Sequence, residues 1–255
     1  LACHVIGFVG FSEDKMDEKN GQYGIEAYYN KKLGGEYGFL DGEKDTKGRL
    51  LAIARSYFDP AEDGADLILT IDPNIQFFVE GKLKEIAERL SAEAGTIIIE
   101  NPKTGAIKAL ANWPTFDPNN YSKVEDINVF LNPAVDALFE PGSIFKPITM
   151  AIALDKKLLT PYTTYQDQGF VRIGGYTIEN SVKTSQGTQT MTQVLENSIN
   201  TGAVFAERQL GNNLFLKYLE KFGFFEKTGV DLNEVYSQNK EFKKGYEINF
   251  ANAAF

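Results

Sequence analysis

Residues that commonly build metal sites, disulfides and charge-relay triads are almost absent from this sequence. It contains one cysteine, Cys3, and one histidine, His4. A single cysteine cannot close a disulfide within the chain, and one cysteine with one histidine cannot complete a Cys/His zinc site. His4 is also far in sequence from the candidate nucleophile described below, which argues against a Ser-His-Asp triad. The sequence therefore predicts neither a metal ion nor a histidine base.

Long apolar runs and an excess of positive charge are absent as well. No stretch of about 18 consecutive apolar residues occurs, so no membrane-spanning helix is predicted within these residues. The net charge is −9 and the isoelectric point is near 4.8, which argues against a nucleic-acid partner. With 255 residues, 43% of them hydrophobic, the chain has enough material for one large domain or two smaller ones.

The most informative stretch is EPGSIFKPITMAIALDKKLL, residues 140–159. Its apolar residues occupy most of a helical cylinder, which predicts a helix buried inside a domain. A narrow polar strip remains, formed by Ser143, Lys146 and Thr149, which lie three residues apart on one face. Pro147 is tolerated only in the first turn of a helix, so we expect the helix to begin close to Ser143.

Ser143 and Lys146 form an S-x-x-K pattern, which places a hydroxyl one helical turn from an amine. Burial can lower the pKa of a lysine until its neutral amine can act as a base toward the serine. The G-x-S-x-G elbow of α/β-hydrolases is not present around Ser143. A structural interpretation stays open at this point, because a four-residue pattern recurs by chance and fits a capping serine beside a solvent-reaching lysine.

Two helices are predicted further along, within TMTQVLENSINTGAVFAERQLG. Thr190 and Gln193 have the spacing of a capping box that opens the first helix. The second helix is expected at 201–209 and should end at Gly211.

Between these helices lies a second pattern, S-x-N, at Ser198 and Asn200. In the turn between two helices, both side chains can point into a cleft. The alternative is that the two residues only terminate the helices. S-x-x-K followed by S-x-N is typical of penicillin-binding proteins and class A β-lactamases, which favours the functional interpretation.

These motifs resemble those of one family. PGSIFKPIT and ENSINTGAV resemble the first and second active-site motifs of class B penicillin-binding proteins, the monofunctional transpeptidases of bacterial cell-wall synthesis. Other segments resemble family landmarks in family order, and they extend the resemblance over nearly the whole chain: LTIDPNIQ, NPKTGAIKALANWPTFDPNNY, IGGYTIEN and FGFFEKTGVDL.

The resemblance implies an α+β fold, the penicillin-binding transpeptidase fold shared with serine β-lactamases, in which helices pack on an antiparallel sheet. Residues 1–60 are expected to form the C-terminal part of a β-rich pedestal domain of the dimerisation type. Residues 61–255 are expected to form the N-terminal portion of the transpeptidase domain.

Local patterns add detail to this fold. Residues 41–49 predict a solvated hairpin tip, and residues 101–105 predict the turn of another hairpin. IGGYTIEN, residues 173–180, predicts a third hairpin. A helix is expected at 74–90 after Pro73. The predicted buried face of that helix consists of Ile75, Phe78, Val79, Leu83, Ile86 and Leu90.

The resemblance also implies roles for the four motif residues. Ser143 would attack the carbonyl between the two terminal D-alanines of a peptidoglycan stem peptide, with Lys146 as base. Ser198 would relay a proton to the departing D-alanine, and Asn200 would hydrogen-bond the substrate backbone. The backbone N–H of Ser143 would contribute to the oxyanion hole. No metal or organic cofactor is implied.

Further expectations concern partners and location. β-Lactam antibiotics are expected ligands, and a membrane glycosyltransferase of the wall-synthesis complex is the expected protein partner. The catalytic domain is expected outside the bacterial cytoplasmic membrane, with a membrane anchor upstream of Leu1.

Two K-T-G triplets occur, although neither matches the family's third motif. Lys103–Gly105 precedes Ser143 and lies in a predicted hairpin turn. Lys227–Gly229 follows Ser198, but Val230 comes next where the family usually has a hydroxyl residue. The third motif is therefore expected beyond Phe255, and the chain as given is expected to be inactive by itself.

Two alternative functions remain open from the sequence. A β-lactamase or β-lactam sensor could use the same four residues, and a class A β-lactamase adds a water-activating glutamate, usually in E-x-x-L-N. Glu207 begins a similar pattern but lacks the asparagine. The second alternative is a cell-wall scaffold protein whose catalytic site has decayed, which the intact first and second motifs argue against.

Overall fold

The computed structural model of this chain describes residues 1–11, 19–41 and 57–255. Contacts divide it into two compact units: the first unit comprises residues 1–137 and 229–234, and the second unit comprises residues 138–228 and 235–255. The boundary predicted near residue 60 falls within the first unit and remains a prediction. The hairpin tip predicted at 41–49 lies, after Asp41, outside the described residues.

The first unit contains short helices, one long helix and antiparallel strand pairs. Its helices are α1 (Cys3–Ile6), α2 (Gly24–Tyr28), α3 (Asn30–Leu33), α4 (Pro73–Leu90) and α5 (Pro133–Asp136), with 3₁₀ turns at Pro118–Lys123 and Ile127–Phe130. Its strands are β1 (Phe8–Phe11), β2 (Lys19–Gln22), β3 (Phe39–Asp41), β4 (Tyr57–Asp59), β5 (Gly95–Glu100) and β6 (Ile107–Trp113). The pairs β1–β2, β3–β4 and β5–β6 are all antiparallel.

The second unit is mainly helical, with two antiparallel strand pairs, of which one is a hairpin. A 3₁₀ turn at Gly142–Phe145 leads into α6 (Lys146–Asp155), followed later by α7 (Met191–Glu196), α8 (Asn200–Leu210), α9 (Asn212–Lys221), α10 (Lys240–Lys243) and α11 (Glu247–Ala253). Its strands are β7 (Thr164–Asp167), β8 (Phe170–Ile173), β9 (Tyr176–Glu179) and β10 (Gly187–Thr190), paired as β7–β10 and β8–β9. The mixture of helices and antiparallel strands agrees with the predicted α+β class.

Helix α4 begins where the sequence predicts, but its buried face differs from the prediction. The Asp72 side chain caps the helix by accepting hydrogen bonds from the backbone N–H groups of residues 74 and 75. Gln76 is fully buried: its amide donates to the Leu110 carbonyl on β6 and accepts from the Leu110 N–H. This bridge turns the face of Gln76, Val79, Leu83 and Ala87 inward. Phe78, predicted to be buried, is 63% exposed.

Cys3 and His4 are buried in the first unit, and their polar atoms have partners there. His4 Nε2 donates to the Val129 carbonyl at 2.9 Å, because a carbonyl oxygen can only accept. Cys3 Sγ lies 3.3 Å from His4 Nδ1 and 3.1 Å from Thr115 Oγ1. Both scarce residues therefore stabilise the first unit.

The core of the second unit is built by α6, α7, α8, α9 and α11, and one glycine sets the distance between two of them. A Cβ atom on Gly202 would lie 2.4 Å from Val194 Cγ2, which no real side chain tolerates. Only glycine therefore permits α7 and α8 to approach this closely. The close approach fixes the turn between the two helices.

Helix α6 is buried on one side only, so the prediction of an almost fully buried apolar helix is wrong in part. Leu154 is 41% exposed and Ile144, in the 3₁₀ turn before the helix, is 71% exposed, whereas the polar helix residues Lys146 and Thr149 are buried. Thr149 Oγ1 donates to the Ala254 carbonyl at 2.9 Å, and Lys146 has polar partners described below. Because these hydrogen bonds lie on the inner side of the helix, they place Lys146 and Thr149 inward and leave part of the apolar surface in solvent.

Candidate active site

Ser143 lies in the 3₁₀ turn that precedes α6 and is solvent-exposed. Gly142 before it has φ 62°, a left-handed conformation that glycine adopts without a steric penalty. Lys146 is the first residue of α6, and Pro147 occupies its first turn, where no backbone N–H is required. The predicted helix start near Ser143 is confirmed. This arrangement keeps the hydroxyl accessible while the lysine side chain is buried.

Ser198 lies in the turn between α7 and α8, as predicted. Thr190 and Gln193 form the predicted capping box of α7, and α8 ends before Gly211. Ser198 itself has φ 53°, which is rare for a residue other than glycine. The neighbouring Ile199 is buried, and its N–H donates to the Val194 carbonyl at 2.9 Å, so the turn is anchored in the core.

The amine of Lys146 brings the two motifs together. Its Nζ lies 3.0 Å from Ser143 Oγ, 2.9 Å from Ser198 Oγ, 2.7 Å from the Ser198 carbonyl oxygen and 2.7 Å from Asn200 Oδ1. The carbonyl and amide oxygens can only accept hydrogen bonds, so they fix two of the amine protons. The third position on nitrogen therefore faces the two hydroxyls, and it can hold either a proton or the lone pair.

The electrostatic setting favours the neutral amine. Lys146 is 1% exposed, and this burial lowers the pKa of its amine from 10.5 to about 8. No carboxylate pairs with it in the described part of the chain, so the ammonium form gains no ionic partner there. At pH 7 roughly a tenth of such amines are neutral, far more than for an ordinary lysine. Lys146 can thus accept a proton from a neighbouring hydroxyl.

Asn200 points toward Lys146 and does not cap α8. The N-cap residue of α8 is Ile199, and no side chain caps it. The Asn200 amide nitrogen donates to the Glu179 carbonyl on β9 at 2.9 Å. That bond fixes the orientation of the amide, because its oxygen must then face Lys146 Nζ. The alternative in which Ser198 and Asn200 only terminate helices is therefore not supported by the geometry.

The other motif candidates lie elsewhere. Lys103–Gly105 is in the turn between β5 and β6, in the first unit. Lys227–Gly229 lies in an irregular segment outside any strand. Neither triplet lies on a strand, whereas the family's third motif is expected beyond Phe255.

Glu207 does not belong to the Lys146 cluster. It lies inside α8 and is fully buried, and neither carboxyl oxygen has a hydrogen-bond partner among the described residues. It therefore makes no hydrogen bond to Ser143 or Lys146, and its contacts do not support the role of a water-activating glutamate.

Sequence analysis missed the polar residues that support Asn200. Asp167 at the end of β7 and Asn180 after β9 bind each other and the first turn of α8. Asn180 is the last residue of the predicted hairpin, and its position as a polar residue at a strand end was the only feature of the sequence that could have indicated its role. Asp167 had no motif to mark it.

The described residues contain neither a candidate membrane span nor a candidate metal cluster. No helix in residues 1–11, 19–41 and 57–255 combines the length and apolar character needed to cross a bilayer. Within the same residues, no cluster of three or more His, Cys, Asp and Glu side chains is arranged to hold a metal ion.

Comparison with known proteins places this geometry in a family. The model of the penicillin binding protein transpeptidase domain matches residues 95–255, which include all four motif residues. The chain belongs to this family. The family predicted from the motifs is confirmed.

Two curated members are similar to this transpeptidase-family chain over most of its length. It is 34% identical over 230 residues to stage V sporulation protein D of Bacillus subtilis, covering 90% of this chain and 35% of that protein. It is 28% identical over 277 residues to peptidoglycan D,D-transpeptidase MrdA of Escherichia coli K12, covering 94% of this chain and 42% of that protein. The chain therefore spans well under half the length of these relatives.

Solved structures of the family share the fold. Penicillin binding protein 2X from Streptococcus thermophilus superposes with a TM-score of 0.81 at 23% sequence identity, covering 99% of this chain and 38% of that chain. This likeness confirms the predicted penicillin-binding transpeptidase fold.

Proposed function

We propose that this chain carries the acylation site of a peptidoglycan D,D-transpeptidase. The observation that carries the proposal is the position of the Lys146 amine, 3.0 Å from Ser143 Oγ and 2.9 Å from Ser198 Oγ. A buried amine with a lowered pKa, in contact with an exposed serine hydroxyl, is a nucleophile paired with a base. Membership of the transpeptidase family supplies the reaction class.

In the first step, the neutral Lys146 amine takes the hydroxyl proton of Ser143 as Ser143 Oγ attacks the carbonyl carbon between the two terminal D-alanines. The carbonyl electrons move to oxygen and give a tetrahedral oxyanion. The backbone N–H of Ser143 donates to that oxygen. Donors placed at a developing oxyanion are worth about 10²–10³ in rate each.

The tetrahedral species then collapses. The carbon–nitrogen bond breaks, and the terminal D-alanine leaves with a proton that Lys146 delivers through the Ser198 hydroxyl. This relay needs both hydroxyls beside one nitrogen, which is the arrangement observed. Asn200 holds the substrate backbone near Lys146. The product is an ester between the stem peptide and Ser143 Oγ.

The second step transfers the acyl group. An amine from a neighbouring stem peptide attacks the ester carbonyl, a new carbon–nitrogen bond forms and the bond to Ser143 Oγ breaks. The attacking amine gives up its proton through the same relay, and Ser143 recovers its hydroxyl. Residues therefore return to their initial protonation states, and the two peptidoglycan strands are cross-linked.

The β-lactamase and scaffold alternatives receive less support. Both carboxyl oxygens of Glu207 lack hydrogen-bond partners among the described residues, so the candidate for a water-activating glutamate is separate from the nucleophile. A decayed site would not preserve four oxygen contacts around one buried amine.

The proposed ligands and partners follow from the reaction. Peptidoglycan stem peptides are the substrates, and β-lactams bind because their strained carbonyl occupies the position of the D-alanine carbonyl. A membrane glycosyltransferase that polymerises the wall is the proposed protein partner. The proposed location of the site is the outer side of the bacterial cytoplasmic membrane, where the peptidoglycan substrate is cross-linked.

The decisive experiment labels the full-length protein with a fluorescent penicillin and maps the modified peptide. We expect one stable covalent adduct on the peptide that contains Ser143, and none in Ser143→Ala. Label on a different serine would refute the assignment. Rapid loss of the label with hydrolysed penicillin in solution would instead favour the β-lactamase alternative.

A further inference from the structure

Behind the Lys146 cluster lies a buried carboxylate, Asp167, at the end of β7. It is 1% exposed and accepts four hydrogen bonds. Thr201 Oγ1 donates at 2.6 Å, Asn180 Nδ2 at 3.0 Å and the Gly169 N–H at 3.1 Å to one carboxylate oxygen, and the Gln186 N–H donates at 2.8 Å to the other. Three chain segments therefore converge on one side chain.

Asp167 is ionised in this setting. Burial raises the pKa of the carboxyl, but the hydrogen bonds, of which that from Thr201 has the largest effect, lower it by more. The pKa of Asp167 therefore lies below its ordinary value. An ionised carboxylate only accepts, so the Thr201 hydroxyl proton points at Asp167. The Thr201 oxygen is left to accept from Tyr165, whose hydroxyl lies 3.1 Å away. The direction of each bond is thus determined.

The same network connects to the candidate active site through two pairs of adjacent residues. Asn180 Oδ1 accepts from the Thr201 N–H at 3.0 Å, and the preceding Glu179 carbonyl accepts from the Asn200 amide at 2.9 Å. The end of β9 therefore holds the first two residues of α8. The Asn200 oxygen, set by this contact, lies 2.7 Å from Lys146 Nζ.

We propose that Asp167 is a positioning residue for the acylation reaction. It has no contact with Ser143 or Lys146 among its hydrogen bonds, and it acts through Thr201 and Asn180 on the orientation of Asn200. The inference rests on the proposed function, because it concerns the rate of acylation at Ser143. Misplacing a reacting or orienting group by about 1 Å can cost on the order of 10²-fold in rate.

A purely structural role for Asp167 is the competing explanation, and the network offers a matched control. Ser185 Oγ donates to the Asp167 backbone carbonyl, so it stabilises the end of the β7–β10 strand pair without reaching α8. Thr201 Oγ1, in contrast, reaches the Asp167 carboxylate from α8 itself. Removing each hydroxyl in turn therefore distinguishes an effect on the stability of the β7–β10 strand pair from an effect on the orientation of the Asn200 amide.

The experiment measures the acylation rate constant of the full-length protein with a fluorescent penicillin, together with labelling stoichiometry and melting temperature. Asp167→Asn and Thr201→Val should slow acylation roughly tenfold or more, since each removes a bond of the network. Thr201→Ser keeps the hydroxyl and should restore the rate, and Ser185→Ala should react like the parent. The rate constant describes only the folded fraction, so a positioning effect lowers the rate constant. A folding defect instead lowers the labelling stoichiometry.

A double-mutant cycle gives the sharpest readout. If Asp167 acts through Asn200, Thr201→Val should cause no further loss in an Asn200→Ala background. The same fold loss in both backgrounds, or a parental rate in Thr201→Val, would overturn the inference while wild-type labelling at Ser143 left the proposed function intact. Absence of wild-type labelling would overturn the proposed function, and this inference with it.

Discussion

Lys146 and Glu207 are both ionisable side chains buried in the second unit, and their surroundings are opposite. Lys146 on α6 has four oxygen atoms within 3.0 Å of its amine. Glu207 on α8 is 0% exposed, and neither of its carboxyl oxygens has a hydrogen-bond partner in the described part of the chain. The two helices pack against each other. Similar burial thus produces one side chain with fixed neighbours and one without.

Burial favours the uncharged form of both groups. It lowers the pKa of Lys146 to about 8, and burial with the nearby negative charge of Glu247 raises the pKa of Glu207 to about 7, against a smaller opposing effect of Arg208. The two groups differ in whether their protons are oriented. The oxygens around Lys146 determine the direction in which its proton or lone pair points, whereas Glu207 has no such partners among the described residues. A lowered or raised pKa therefore does not identify a catalytic group unless oriented partners accompany it.

Substitution of Lys146 should have the largest effect of the changes considered. Lys146→Met keeps an unbranched apolar side chain in the buried position and removes the amine, so acylation by penicillin should fall about 10²–10⁴-fold. Lys146→Arg retains the charge but does not lose its proton in proteins, so it should fail equally if Lys146 is the base. Acylation rates of both variants in the full-length protein, with melting temperatures as control, provide the measurement.

The two Lys146 variants also test a purely electrostatic role. If Lys146 supplied only a fixed positive charge, Lys146→Arg would acylate faster than Lys146→Met. A rate for Lys146→Arg close to the parental rate would rule out the base role and the mechanism built on it.

Glu207 should affect stability and leave chemistry unchanged. Its pKa is about 7 in the folded chain against 4.5 as reference, so between these values the folded state binds more protons than the unfolded state. The free energy of unfolding should therefore decrease as pH rises from about 4.5 to 7 and level off above. At about 1.4 kcal/mol for each pH unit, the largest cost is about 3 kcal/mol.

Glu207→Gln tests this expectation, because it keeps the shape of the protonated carboxyl and cannot ionise. Denaturant unfolding across that pH range should lose the Glu207 contribution to the slope, while the acylation rate stays parental. Replacing the exposed Glu247 by Gln is the matched control and should have a smaller effect. An unchanged pH dependence in Glu207→Gln would show that the buried carboxyl does not ionise in this range.

The smallest expected effect is the pH dependence of acylation in the parent. Since only the neutral amine accepts a proton, the rate should increase through pH 8 and reach a plateau, about tenfold above its value at pH 7. Glu207→Gln should show the same profile, because Glu207 has no contact with the cluster. A rate that is constant between pH 6 and 9 would contradict the assignment of Lys146 as the titrating base.

Short-range patterns predicted much of this structure because their physical causes are local. The Thr190–Gln193 capping box depends on two side chains one turn apart, and it forms as expected. Gly174 and Gly175 both have positive φ, as the two-residue turn of the predicted β8–β9 hairpin requires. Ser143 and Lys146 lie one turn apart, so their proximity was predictable too.

Contacts between distant segments were not predictable from the same patterns. Gln76 rotates α4 because it binds Leu110, 34 residues away, and no periodicity reports that bridge. Asp167 binds Thr201 across an equally long separation. The buried position of Glu207 is unexpected because an unpaired carboxyl in a core costs free energy. Sequence patterns thus located the four motif residues and missed what orients them.

The left-handed backbone of Ser198 has an evolutionary consequence. An L-residue in this conformation costs about 1–2 kcal/mol, which glycine would largely avoid. Selection for stability alone would therefore favour glycine at this position, and glycine would remove the hydroxyl beside the Lys146 amine. Under the proposed relay role of Ser198, stability and activity make opposing demands on this single residue, and the chain retains the less stable choice.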